Sequence, residues 1–143
     1  MLKRLSPVLS PELLSTIRAM GHFHEIAIVD ANFPCDLSGP TIIRADGVSA
    51  TDILDAVLFL MPLEKKAPAA WRMIVEGNPE TNLPIFDEFR EIMVRQDGEG
   101  HDLEAVNPDD FKARVRNAYA VVITGERRLY GSLIVRKGVV PPT

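Results

Sequence analysis

Short apolar runs alternating with amphipathic segments of helix length constrain this chain more than any other feature. Residues 26–29, Ile-Ala-Ile-Val, form a continuous apolar run, the pattern of a strand covered on both faces. Residues 41–44, 71–75, 119–124 and 133–135 are further strand candidates. Four helices are expected between them. The first covers residues 10–21: Ser10 caps it, Pro11 takes the first helical position, and Leu13, Leu14, Ile17 and Met20 form one stripe. Gly21 is expected to close it in the left-handed conformation. The second runs from Ser49, with Asp52 as a shortened capping-box partner, to Pro62, and turns Ile53, Val57, Leu60 and Met61 inward. The third covers residues 84–96 with Phe86, Phe89, Ile92 and Met93 facing the core. The last starts at Asn107, Pro108, Asp109 and Asp110 and ends near Ala118. This alternation predicts a single α/β domain over residues 1–143, a three-layer α/β/α sandwich with a mostly parallel sheet.

The intervening stretches read as loops. Residues 30–40 carry Asn32, Pro34, Asp36, Ser38, Gly39 and Pro40, all turn formers. Residues 97–102 are polar, with His101 expected in solvent, and Arg72 is expected to point outward from its strand. Glu126, Arg127 and Arg128 read as a solvated turn. The apolar tail at residues 139–143 either tucks against a neighbouring subunit or frays.

Composition narrows the function. Hydrophobic residues make up 46% and charged residues 25%, the balance of a globular protein. A net charge of −4 argues against nucleic acid or anionic lipid as a partner. The single cysteine, Cys35, has no internal partner for a disulfide and suits a reducing compartment, as a loop residue and not a nucleophile. No apolar run approaches twenty residues and the N-terminus lacks a signal-peptide pattern, so no membrane span and a cytoplasmic location are expected.

Neither a P-loop, a strand-linked GxGxxG nor a GxSxG elbow is present, so nucleotide binding and serine hydrolase chemistry have no motif behind them. The stretch MGHFHEIAIVDANFP, from Met20 to Pro34, instead places ionisable groups at both ends of a buried strand. His22 falls just past a helix C-terminus, a seat that favours positive charge and suits a proton donor. Asp30 stands where open α/β sheets place ligands; its plainer role is to cap the backbone N–H groups of Asn32 or Phe33. Tyr130 and Ser132 offer hydroxyls around Gly131, which permits close backbone approach. A carboxylate, hydroxyls and an aromatic ring are sugar-binding chemistry and also ordinary turn chemistry. His22 and His24 would share one face if extended, as metal ligands do, but no third ligand is specified and no metal site is assigned.

These residues fall in segments that resemble the family of fucose mutarotases and ribose pyranases, the fucose branch more closely. The matching segments are LSPELL, MGH, DANFP, GPTIIRADG, VEG, ITGERRLYG and RKGV, in order along nearly the whole chain. The resemblance implies a ribose-pyranase-like fold, ring-shaped decamers with sites between subunits, and a cofactor-free enzyme that interconverts anomers of a reducing monosaccharide such as L-fucose. It implies that His22 is the general acid, that Asp30 binds substrate, and that Tyr130, Gly131 and Ser132 form the C-terminal contact run. The chain departs from the family pattern at Phe23 and His24, at Pro108 and Lys112 where the fucose branch has arginine and tyrosine, and at Ser132 in place of asparagine. Those departures remove sugar contacts and leave the general acid in place. Two other readings stay open: a non-catalytic monosaccharide-binding or sensing protein, and an isomerase or metal enzyme built on His22 and His24.

Overall fold

The computed structural model describes residues 1–35 and 38–143. Positions 36 and 37 of the expected loop at residues 30–40 lie outside the described residues. In chain order the elements are α1 (Pro11–Ala19), β1 (Glu25–Val29), β2 (Thr41–Ala45), α2 (Ala50–Leu60), β3 (Ala70–Met73), α3 (Pro84–Asp97), β4 (Leu103–Val106), α4 (Pro108–Arg116), β5 (Ala120–Thr124) and β6 (Leu133–Arg136).

Three helices start as their sequences dictate. The side chains of Ser10, Ser49 and Asn107 accept bonds from the amides of Leu13, Asp52 and Asp110, satisfying donors that the first helical turn leaves free. The end of α1 differs from expectation. Met20 turns extended and the left-handed residue is Phe23, at φ 70°, not Gly21. The Gly21 amide instead donates to His24 Nδ1 at 2.9 Å.

The strands form one sheet of order β2-β5-β1-β6-β3-β4. β6 is antiparallel to its neighbours β1 and β3, and the other pairings are parallel. β4 is a strand that the sequence reading did not anticipate. Its four residues pair only with β3, and the exposed Glu104 erases the apolar signature of an inner strand.

Alternation along β1 divides the core. Ile26 and Ile28 face Leu13 and Ile17 of α1, Ile53 and Val57 of α2, and Phe86 and Phe89 of α3. Ala27 and Val29 face the other way, with Trp71 and Ile134, onto Phe111 and Val115 of α4. The expected three layers are therefore present, but one is a single helix. Full burial of a side chain such as Phe111 contributes roughly 2–3 kcal/mol, so that thin layer depends on few residues.

Four expectations about individual side chains are corrected. Arg72 is buried, because α3 covers the face on which it stands; its guanidinium lies 4.3 Å from the Phe86 ring and donates to the carbonyls of Met73 and Pro79. Burial pulls that guanidinium below the usual arginine range. His101 is nearly enclosed and bonds Asp97 Oδ2 at 2.6 Å across the end of α3. Glu126 is buried at the start of α2, where it accepts from the Ala50 amide at 3.2 Å and pairs with Arg128. Leu60 is exposed, and Leu54 and Leu58 fill the core in its place.

Candidate functional site

The turn after α1 delivers His22 to a partner far away in sequence. His22 Nε2 bonds Glu64 Oε2, and Glu64 is only 4% exposed. The other carboxylate oxygen, Oε1, accepts from the amides of Lys66 at 2.8 Å and Lys65 at 3.0 Å. The Lys66 amide first, then the His22 bond, holds the Glu64 carboxyl below the usual glutamate range. An ionised carboxylate only accepts, so Nε2 must carry the proton. That leaves Nδ1 of the ring as the position from which a proton is given or taken. Among the described residues nothing bonds Nδ1. The imidazole is about half exposed and borders a concavity of about 330 Å³ lined also by Leu63, Lys65, Lys66, Val139 and Pro141.

The other predicted site residues gather at the opposite end of β1. Ser132 Oγ donates to Asp30 Oδ2 at 2.7 Å and accepts from the Asp30 amide at 2.8 Å. Asp30 Oδ1 accepts from the Asn32 amide at 2.9 Å, the expected capping role. Both oxygens keep lone pairs for further donors. Gly131 is enclosed: a Cβ there would lie 2.7 Å from Glu126 Cγ and 2.8 Å from Arg128 O. The close approach that glycine permits is thus to the protein's own turn. Tyr130 adopts φ 59°, and its hydroxyl accepts from the Glu76 amide at 3.4 Å.

Asp30, Gly131 and Ser132 are therefore brought together, with Tyr130 beside them, and His22 is not. β1 is five residues long, about 16 Å at the usual strand rise, and His22 and Asp30 lie beyond its opposite ends. His22 and His24 also diverge. His24 accepts from the Gly21 amide and stacks on Tyr119 with ring centres 4.7 Å apart, so the two histidines do not form a ligand pair. Cys35 Sγ contacts Phe33 O and burial raises its thiol pKa, the reverse of what a nucleophile needs.

A larger concavity, about 670 Å³, lies along α4 and is lined by Phe23, His24, Glu25, Arg114 and Tyr119 among others. Its strongest charges are already paired. Glu25 bridges Arg114 and Arg136, and both guanidiniums lie over the Trp71 ring, at 3.9 and 4.8 Å. Of the departures from the family pattern, Phe23 packs on the His22 ring at 4.3 Å and Pro108 opens α4 with Lys112 one turn on.

Glu64 is the candidate site residue that sequence reasoning missed. In Pro62-Leu63-Glu64-Lys65-Lys66 it reads as part of a solvated charged run. Nothing local marks it as buried, since its partner comes from forty-two positions earlier.

Comparison with known proteins identifies the family. Residues 3–140 match the model of the RbsD / FucU transport protein family. A zebrafish (Danio rerio) protein named fucose mutarotase is 40% identical over 99% of this chain and 95% of its own length. The fucose mutarotase of Streptococcus pneumoniae, solved in complex with L-fucose, superposes with a TM-score of 0.87 at 36% identity, covering 98% of this chain and all of that one. FucU from Bifidobacterium longum gives a TM-score of 0.89 at 30% identity over 96% of this chain and 99% of its own. On sequence and fold together, this chain belongs to the RbsD / FucU family.

Proposed function

We propose that the protein is a monosaccharide mutarotase, an isomerase that opens and recloses the ring of a reducing sugar. The observation that carries the mechanism is His22 held through Nε2 by a buried, ionised Glu64 beside an open cavity. In the forward step the ring oxygen gains a proton as the bond from the anomeric carbon to it breaks, and the anomeric hydroxyl gives up its proton. The free aldehyde rotates about its bond to C2, and the same transfers in reverse close the ring on the other face. No electron or group is transferred, so His22 Nδ1, alternating between donor and acceptor, supplies the acid–base step. A modest factor of about 10² to 10⁴ suffices for a reaction that already runs in water. L-Fucose is the first substrate to test, because the pneumococcal relative is described in complex with it.

Asp30, Ser132 and Tyr130 hold the sugar hydroxyls in this reading. They stand at the far end of β1 from His22, so one sugar meets both sets only where two copies of the chain adjoin. A homo-oligomer, with the decamer of the family resemblance as the expected form, places the His22 end of one copy against the Asp30 end of the next. Among the described residues no helix is long and apolar enough to cross a membrane, and the proposal places the enzyme in the cytoplasm.

Saturation-transfer NMR on equilibrated L-fucose, and then on a panel of monosaccharides, tests the reading. Exchange between anomers is expected to accelerate with the parent protein and to fall by about tenfold or more with His22→Gln. Line broadening without accelerated exchange would reassign the protein as a sugar binder.

A further inference from the structure

The run Arg136, Lys137, Gly138 lies in the RKGV segment that resembles the family, and Arg136 already pairs with Glu25. It leaves β6 and passes between the two loops that carry His22 and Glu64. Its backbone bonds both. The Phe23 amide donates to Lys137 O at 3.0 Å and the Lys137 amide donates to His24 O at 2.9 Å. On the other side the Glu64 amide donates to Arg136 O at 3.1 Å and the Gly138 amide donates to Pro62 O at 2.8 Å. Leu63 and Lys137 also form an antiparallel bridge. Only glycine fits at position 138, because a Cβ would lie 2.3 Å from Leu63 O.

The Lys137 side chain adds a third tie. Its Nζ donates to Ile17 O at 3.0 Å and Met20 O at 2.5 Å, carbonyls at the end of α1. Such carbonyls have no partner within a helix, and the negative end of the dipole favours a cation there. The ammonium is half-buried, and this burial draws its pKa below the ordinary lysine value, with nearby Arg18 acting in the same direction. Among the described residues its bonded partners are carbonyls and not carboxylates, so its hydrogen bonds serve geometry and no counter-charge.

We infer that Lys137 is a positioning residue for the acid–base pair: its ammonium locks the end of α1, and its backbone joins the His22 turn to the Glu64 loop. Any effect on rate rests on the proposed role of His22; the effect on the His22–Glu64 geometry does not. Long-range proton–nitrogen spectra of the histidine rings read that geometry directly, with His22 assigned by its loss in His22→Gln. Glu64→Ala supplies the reference for an unbonded ring. Lys137→Met is expected to move the His22 Nε2 resonance toward that reference. It should also lower kcat by about tenfold or more while KM changes less, the penalty of a misplaced group. Lys137→Arg, which keeps the charge and the donors, is expected to restore most of both. A Lys137→Met protein with parental His22 resonances overturns the inference, whatever its activity. Shifted resonances with a parental exchange rate support the positioning role and count against His22 as the acid–base group. If Lys137→Met does not fold, Lys137→Gln, with one shorter donor, is read against the same references.

Discussion

Glu64 fixes which nitrogen of His22 holds a proton, and that choice is testable through pH as well as through rate. A glutamate titrates near pH 4.3 in an unfolded chain, to a first approximation, and the folded Glu64 carboxyl is held lower by the Lys66 amide and His22. A lowered carboxyl stabilises the fold fully above the unfolded value and loses that contribution as pH falls through the folded value. Glu64→Gln is therefore expected to be less stable than the parent at pH 7 and to approach it as the medium becomes acidic. Urea midpoints at pH 7 and at about pH 3 check this; a constant difference between the two proteins would mean that Glu64 is not ionised in the fold. Asp30→Asn is a milder change. Its amide oxygen still accepts from Asn32, and its NH₂ can donate to Ser132 Oγ, so a stability loss of about 1 kcal/mol is expected. Sugar affinity, measured by titration calorimetry, should fall more than that. A variant that aggregates would assign Asp30 to folding alone.

At the scale of elements, α4 is, among the described residues, the one helix on its face of the sheet. The opposite face of the sheet is covered by α1, α2 and α3 together, whereas Phe111 and Val115 of α4 shield their side with little help. The cap of α4 therefore matters more than its size suggests. Asn107 accepts from the Asp110 amide at 2.9 Å and donates to the Asp110 carboxylate at 2.7 Å. Asn107→Ala is expected to cost about 1 kcal/mol, and hydrogen exchange should quicken in α4 before α3. Equal acceleration in both helices would show that the two layers open as one unit. Beside α4, the Glu25 bridge to Arg114 and Arg136 ties that layer to β1 and β6 over Trp71.

At the scale of the molecule, the proposed function makes assembly a condition for activity, because His22 and Asp30 lie beyond opposite ends of β1. The chain has a mass of 15.8 kDa, and light scattering is expected to return a multiple of it at micromolar concentration. Exchange activity per chain should decline on dilution below the assembly concentration, because each site loses half of its groups. A fully active monomer would require His22 and Asp30 to serve different sites. The exposed apolar residues Phe23 and Val139 flank the His22 end and are available to such an interface.

What the sequence determined by itself was local and periodic. Ser10, Ser49 and Asn107 announced helix starts because a cap acts within three residues. The alternation of apolar runs with amphipathic stripes announced the layered sheet, because burial repeats along an element. Asp30 was read as a candidate site residue through a family segment and Ser132 through its hydroxyl beside Gly131; the fold joins their side chains. Tertiary structure alone decided the rest. Glu64, Arg72, His101 and Glu126 are charged or polar side chains whose own segments do not mark them as enclosed, and the fold encloses each of them. Edge strand β4 became a strand through pairing with β3, which its own four residues do not encode. The separation of His22 from Asp30 follows from the extended rise of β1, a property of the sheet and not of any motif.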